Sequence, residues 1–136
     1  VAGLVKACEI ANENYEKNLV AYIERKQRVL SIIADSGMDI SINGDQNYCM
    51  PNTINISING VESEALMLSS KQYCGISNGS ACTSHDYRPS YVLTAMGLDA
   101  DRISSAIRIS WGADTDIGQM SENLTSLFEV AKGLVF

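Results

Sequence analysis

The sequence predicts an α+β fold, a small two-layer sandwich whose three- to four-stranded, mainly antiparallel sheet is covered by helices on one face. Three observations support this class. Apolar residues recur at helical spacing near both ends of the chain, three short segments alternate apolar and polar residues, and the two kinds of segment are interleaved. A length of 136 residues is typical of one domain, so residues 1–136 are predicted to form a single domain.

The first predicted element is a long helix. Its apolar residues follow one another every three or four positions from Leu4 to Ile33, and charged residues occupy the opposite side. Gly37 is placed to end the helix as a left-handed cap. Cys8 falls on the apolar stripe, so we expect it to be a small buried side chain.

Two strands are predicted next. Residues 38–42 alternate apolar and polar side chains and are followed by an Asn-Gly-Asp turn at 43–45. Residues 53–59 alternate without a fault, and Gly60 ends the strand. The spacing then predicts a helix over 61–72 and a short strand over 73–76.

The C-terminal half begins with a predicted loop over 77–88. Pro89 and Gly97 bracket a two-turn helix, since proline suits the first helical position and glycine the position after the end. Residues 106–111 alternate again, so Arg108 is expected on the face opposite the core. A last helix follows from 117 to 131.

For this last helix, Asp114 and Thr115 are the candidate N-caps.

Composition excludes several classes of function. A net charge of −6 and scattered basic residues argue against a nucleic-acid partner. No apolar run is long enough to span a membrane and no signal-like segment is present, so a cytoplasmic protein is expected. Four cysteines without a C-x-x-C pair, and a single histidine, predict reduced thiols and no metal site. Because the chain starts at Val1 within a helical pattern, we expect a fragment.

Cys82 is the cysteine most suited to chemistry. Cys49 and Cys74 have no polar neighbours in the sequence that would activate a thiolate, so both are predicted to be structural. It lies among small and hydroxyl side chains with no apolar residues to bury it, so we expect an accessible thiol. One hypothesis is a cysteine hydrolase in which His85 acts as the base for Cys82. Arg108, on the polar face of its strand, could receive a carboxylate bidentately or could be an ordinary surface arginine.

Three segments together resemble a known family. They are "PNTINISINGVESEALM" at 51–67, "SNGSACTSHDYRPSYVLTAMGL" at 77–98 and "SSAIRISWG" at 104–112. In this order they are similar to the C-terminal segment of the group I cysteine desulfurases, which are pyridoxal-phosphate enzymes of aminotransferase class V. Asn78 and His85 depart from the family's pattern without touching a role that we can name.

The resemblance implies a function. Such an enzyme takes sulfur from L-cysteine, releases L-alanine and holds a persulfide, which this chain would carry on Cys82 for transfer to an acceptor protein. Arg108 matches the arginine that binds the substrate carboxylate. The chain would be the C-terminal small domain of a homodimeric enzyme, with residues 1–36 as the helix that joins it to an absent cofactor-binding domain.

The resemblance also implies what this chain lacks. The family's Schiff-base lysine follows a serine and a histidine, and no lysine here has that setting; the five are Lys6, Lys17, Lys26, Lys71 and Lys132. We therefore expect the chain alone to bind no pyridoxal phosphate and to be inactive. A non-catalytic module that docks sulfur acceptors is the other alternative. The sequence does not choose among iron–sulfur cluster assembly, tRNA thiolation and DNA phosphorothioation.

Overall fold

The computed structural model describes residues 1–78 and 89–135, which form five helices and three strands. The helices are α1 (Ala2–Asp35), α2 (Ser63–Ser69), α3 (Tyr91–Ala95), α4 (Ala100–Ser104) and α5 (Ile117–Lys132). The strands are β1 (Ile40–Ile42), β2 (Thr53–Ile58) and β3 (Ala106–Ser110).

The strands form one antiparallel sheet in the order β1-β2-β3. Ile56 is opposite Ile42 on one side and Ile107 on the other, so isoleucines from all three strands share one face. An isolated bridge between Ser77 and Arg108 extends the sheet by one residue beyond β3. The predicted α+β class and antiparallel sheet are confirmed.

The core lies between the isoleucine face of the sheet and two helices. The C-terminal part of α1 and one stripe of α5 supply the facing side chains, which include Val29, Ile32, Leu124, Leu127 and Phe128. Burial of these apolar surfaces is the main force that holds the helices on the sheet. The opposite face of the sheet is polar.

Two long-range hydrogen bonds fix α1 beside the end of β3. The indole Nε1 of Trp111 donates to the carbonyl of Tyr22 at 3.2 Å. Arg25 Nε donates to the carbonyl of Thr115 at 2.7 Å, in the connection that leads to α5. The middle of α1 is therefore held by side chains as well as by apolar packing.

The N-terminal part of α1 does not pack on the core. Side chains from Val1 to Glu13 are exposed, and the buried residues of the helix are confined to its last two turns. The prediction that Cys8 is buried is therefore wrong, because nothing in the described part of the chain covers that end of the apolar stripe. The spacing of apolar residues identified the apolar face of the helix, but it did not indicate how much of that face is covered by other segments.

The predicted strand over 73–76 does not form. The backbone N–H groups of Tyr73 and Cys74 both donate to the carbonyl of Ser70, so the chain continues as a turn after α2. Donors used in this turn are not available to a strand ladder. Among residues 73–78, Ser77 alone pairs with β3.

Other boundaries also differ. α2 is shorter than predicted, and α4, a single turn that the sequence analysis did not predict, begins where the Asp99 side chain accepts from Arg102 N. For α5 the N-cap is Asp116, whose carboxylate accepts from Gln119 N at 2.7 Å, rather than Asp114 or Thr115. Among the described helices, none combines the length and the apolar character needed to cross a membrane.

Candidate functional site

Arg108 lies in the middle of β3 on the polar face of the sheet, with its side chain exposed, as predicted. Its neighbours Ile107 and Ile109 point into the core, since successive side chains of a strand alternate between faces. The guanidinium makes no hydrogen bond or ion pair with any residue in the ranges 1–78 and 89–135. The described residues therefore occupy none of its five N–H donors.

Backbone pairing holds Arg108 from both sides. Asn55 of β2 is its partner within the sheet. On the other edge, Ser77 N donates to the Arg108 carbonyl at 3.1 Å and Arg108 N donates to the Ser77 carbonyl at 2.6 Å. A side chain on a backbone fixed in this way needs little reorganisation to bind an anion.

A polar network adjoins Arg108 on the same face. Asn43, only 6% exposed, donates through Nδ2 to Asn55 Oδ1 at 2.7 Å and to Ser57 Oγ at 2.8 Å. Its Oδ1 accepts from Arg102 Nη2 at 2.5 Å, and Ser57 Oγ donates to the Arg102 carbonyl at 2.6 Å. The network therefore positions Asn55, which lies opposite Arg108 in the sheet. It also binds the side chain of a second arginine, Arg102.

The sequence analysis did not identify this network. Asn43 was predicted only as part of a turn, and Arg102 was given no role. Their contact spans 59 positions, so no local pattern could have found it. The one signal was the polar residue Ser57 in a regular strand, because a hydroxyl on the face away from the core requires a partner once it is buried.

The first range of described residues ends at residue 78, next to the residue that pairs with Arg108. Ser77 is hydrogen-bonded to Arg108, and Cys82 follows it by five positions. Cys82 and His85 belong to residues 79–88, outside the described residues. The structure therefore gives the position of Arg108 but does not test the predicted pairing of Cys82 with His85.

After residue 88 the chain forms α3, which is shorter than the predicted helix over 89–97. Ser90 is its N-cap, with Oγ accepting from Leu93 N at 3.4 Å, and Leu93 is buried. Gly97, as predicted, ends this segment with a φ of +79°. A Cβ added at Gly44 would lie 3.6 Å from Cε of Met96, so α3 sits against the connection between β1 and β2.

A cavity of about 240 Å³ lies beside the last residue of β3. Its lining includes Cys74, Ser110, Trp111, Gln119 and Met120. Burial raises the pKa of the Cys74 thiol above its ordinary value, because desolvation disfavours the thiolate. Cys74 is thus a packing residue rather than a nucleophile, in agreement with the sequence analysis.

The lysines do not fit a pyridoxal-phosphate site. A lysine that forms a Schiff base is normally activated by desolvation, whereas all five lysines of this chain are at least partly exposed. Lys6 and Lys132 pair with Glu9 and Glu129 on their own helices. Among the residues described, no three His, Cys, Asp or Glu side chains are grouped to hold a metal ion.

The chain is similar to known proteins both in sequence and in fold. No family model matches the chain. It is 33% identical over 135 residues to "Cysteine desulfurase IscS" of Colwellia psychrerythraea, which aligns with 99% of this chain. It is 39% identical over 115 residues to "Cysteine desulfurase" of Homo sapiens, which aligns with 85% of this chain.

A solved structure titled "NifS-like protein" superposes on 95% of the chain with a TM-score of 0.79 at 22% identity, which shows a shared fold. The chain covers 32% of the Colwellia protein, 25% of the human protein and 32% of the solved chain. It therefore spans about a quarter to a third of the relatives it matches.

Proposed function

We propose that this chain, which belongs to the cysteine desulfurase family, is the small domain of such an enzyme and carries its sulfur-accepting thiol on Cys82. The observation that supports this proposal most strongly is Arg108, a fixed and exposed arginine without a partner among the described residues. Cys82 follows Ser77, the residue hydrogen-bonded to Arg108, by five positions.

In this proposal Arg108 binds the carboxylate of L-cysteine. A guanidinium forms two parallel N–H···O bonds with a carboxylate, which sets the orientation of the amino acid as well as its position. The polar neighbours of Arg108 among the described residues do not neutralise it, because Asn43, Asn55 and Ser57 are all uncharged. The site therefore favours a small anion.

Cys82 would receive the sulfur. Its thiolate attacks the sulfur atom of the bound cysteine, the substrate's carbon–sulfur bond breaks, and a new sulfur–sulfur bond forms on the enzyme. Cysteine and the enzyme thiol thereby become alanine and a persulfide, with no external oxidant or reductant. An accessible thiol suits this task, because the persulfide must then reach an acceptor protein.

The cofactor lysine would come from outside this chain, since none of the lysines described above fits that role. We propose that residues 1–36 join the domain to a cofactor-binding domain, and that the latter covers the apolar side chains left exposed on α1, such as Leu4, Ile10 and Tyr15. A cytoplasmic homodimer, and inactivity of the isolated chain, complete the proposal.

The test uses the full-length protein that contains this chain. After incubation with L-cysteine, mass spectrometry should find one added sulfur on Cys82, together with released alanine. Cys82→Ser should abolish both products, whereas Cys8→Ser, at an exposed cysteine of α1, should change neither. Sulfur transfer that persists in the Cys82→Ser variant would refute the assignment.

A second variant tests the arginine. Arg108→Ala should lower kcat/KM for L-cysteine by roughly 10- to 100-fold, the value of about 1.5–3 kcal/mol for hydrogen bonds to a charged group. Arg28→Ala is the matched control, because Arg28 is exposed and its side chain bonds Ser121 Oγ alone among the described residues. If the full-length protein forms no adduct and releases no alanine, the result supports the hypothesis of a non-catalytic docking module. Hydrolysis of an ester that depends on the thiol would instead support the cysteine hydrolase with Cys82 and His85.

A further inference from the structure

A second reactive pair lies away from the Arg108 site. Lys26, on α1, places its Nζ 2.7 Å from Sγ of Cys49, in the connection between β1 and β2. We propose that these two side chains are a modification site at which an oxidant such as hydrogen peroxide forms a covalent nitrogen–sulfur bond. The proposal does not depend on the proposed desulfurase function.

The separation of the two atoms is the main argument. A distance of 2.7 Å is at the short end of the range for N–H···O hydrogen bonds, although sulfur is a larger atom than oxygen. The amine and the thiol are thus already in the contact that bond formation requires. The sequence analysis predicted that Cys49 has no polar neighbour that matters to its chemistry, and the structure corrects this.

The connection holds the sulfur in place. Cys49 Sγ donates to the carbonyl of Gln46 at 3.1 Å, and the Tyr48 N–H donates to the carbonyl of Asp45 at 3.2 Å, so this part of the connection is a turn. Cys49 remains exposed, which allows a small oxidant to reach it. An accessible sulfur in contact with an amine meets both requirements of the reaction.

The reaction has two balanced steps. Hydrogen peroxide first takes two electrons from the Cys49 thiol, giving a sulfenic acid and one water molecule. The neutral amine of Lys26 then attacks the sulfur, the sulfur–oxygen bond breaks, and the oxygen leaves as a second water molecule with a proton from the amine. An external thiol can attack the sulfur and release the amine, so the bond is reversible.

The other described cysteines lack this arrangement. Cys8 is exposed but has no amine in contact. Cys74 is partly buried, and its burial favours the unreactive thiol. Lys6 and Lys132 contact carboxylates instead of sulfur. Oxidation should therefore join Lys26 to Cys49 selectively, which would fasten the β1–β2 connection to α1.

The experiment oxidises the purified, fully reduced protein with hydrogen peroxide, alkylates the remaining thiols and digests the product. Mass spectrometry should find the peptides of Lys26 and Cys49 joined, with a mass equal to their sum less two hydrogens. Treatment with dithiothreitol should separate them. The native protein should show at least a tenfold excess of this species over the variants.

Two variants make the test specific. Lys26→Arg keeps the positive charge but lacks a nucleophilic amine, so its Cys49 should stop at a sulfenic acid that dimedone traps; Cys49→Ser should give no joined peptides. The proposal is overturned if the native protein gives only sulfenic, sulfinic or disulfide forms of Cys49. It is also overturned if the joined product retains an oxygen, or if it persists in Lys26→Arg.

Discussion

Replacement of Asn43 by alanine should destabilise the fold, because Asn43 is the centre of the polar network on the sheet. It removes two donations, to Asn55 and Ser57, and one acceptance from Arg102. Arg102 would then have no partner at Nη2, and its buried Nε already has none among the described residues. The variant therefore leaves charged and polar groups buried without hydrogen bonds, the costly case.

The expected loss in the free energy of unfolding follows from the three hydrogen bonds that the substitution removes. A hydrogen bond from a guanidinium contributes about 1.5–3 kcal/mol and a neutral one about 1 kcal/mol. Because Asn55 is partly exposed and can bond water, we expect a total loss of about 2–4 kcal/mol in the free energy of unfolding. The midpoint of thermal unfolding should fall by roughly 10 °C.

Equilibrium urea unfolding of the purified protein measures this loss, provided that the slope with urea concentration is unchanged. Asn47→Ala is the control, since Asn47 lies in the same connection and is exposed, and within residues 1–78 and 89–135 it donates to Asp45 alone. It should cost less than about 0.5 kcal/mol. A loss below about 1 kcal/mol for Asn43→Ala would refute the reasoning that the network is buried and coupled.

Three further outcomes are expected. Gly44→Ala should cost about 1–2 kcal/mol in urea unfolding, because Gly44 has a φ of +87°; an unchanged midpoint would contradict this. Leu127→Ala, at a fully buried position, should cost about 3–4 kcal/mol, and a loss under about 2 kcal/mol would mean that the core collapses around it. At pH 8 iodoacetamide should alkylate Cys74 more slowly than the exposed Cys8, because burial raises the pKa of Cys74 above its ordinary value and leaves less thiolate. Equal rates would be inconsistent with that burial.

Patterns among neighbouring residues predicted those parts of the fold in which interactions between neighbouring residues determine the structure. The alternation in β2 and β3 gave the sheet, its buried face and the outward position of Arg108, because the period of a strand fixes side-chain direction. The same rule failed for residues 73–76, where a turn at the end of α2 used the backbone donors first. Residue propensities do not show whether these backbone N–H groups will bond within a turn or in a strand.

Contacts between distant segments were beyond the sequence. Cys8 and Cys49 were both interpreted as structural, yet one lies on an uncovered helix face and the other touches Lys26, 23 positions away. Whether a cysteine is covered, or has an amine beside it, depends on how elements pack rather than on its neighbours in the chain. The same holds for the bond between Asn43 and Arg102.

The uneven packing of α1 has a mechanical consequence. Trp111 holds the helix at Tyr22, and Ala2 lies twenty residues before that point, which is roughly 30 Å along the axis at 1.5 Å per residue. The N-terminal part of α1 therefore extends away from Tyr22, the point near the sheet at which the helix is held. A tilt of about 10° at this point displaces the far end by about 5 Å, so small adjustments in the core become large movements at Ala2.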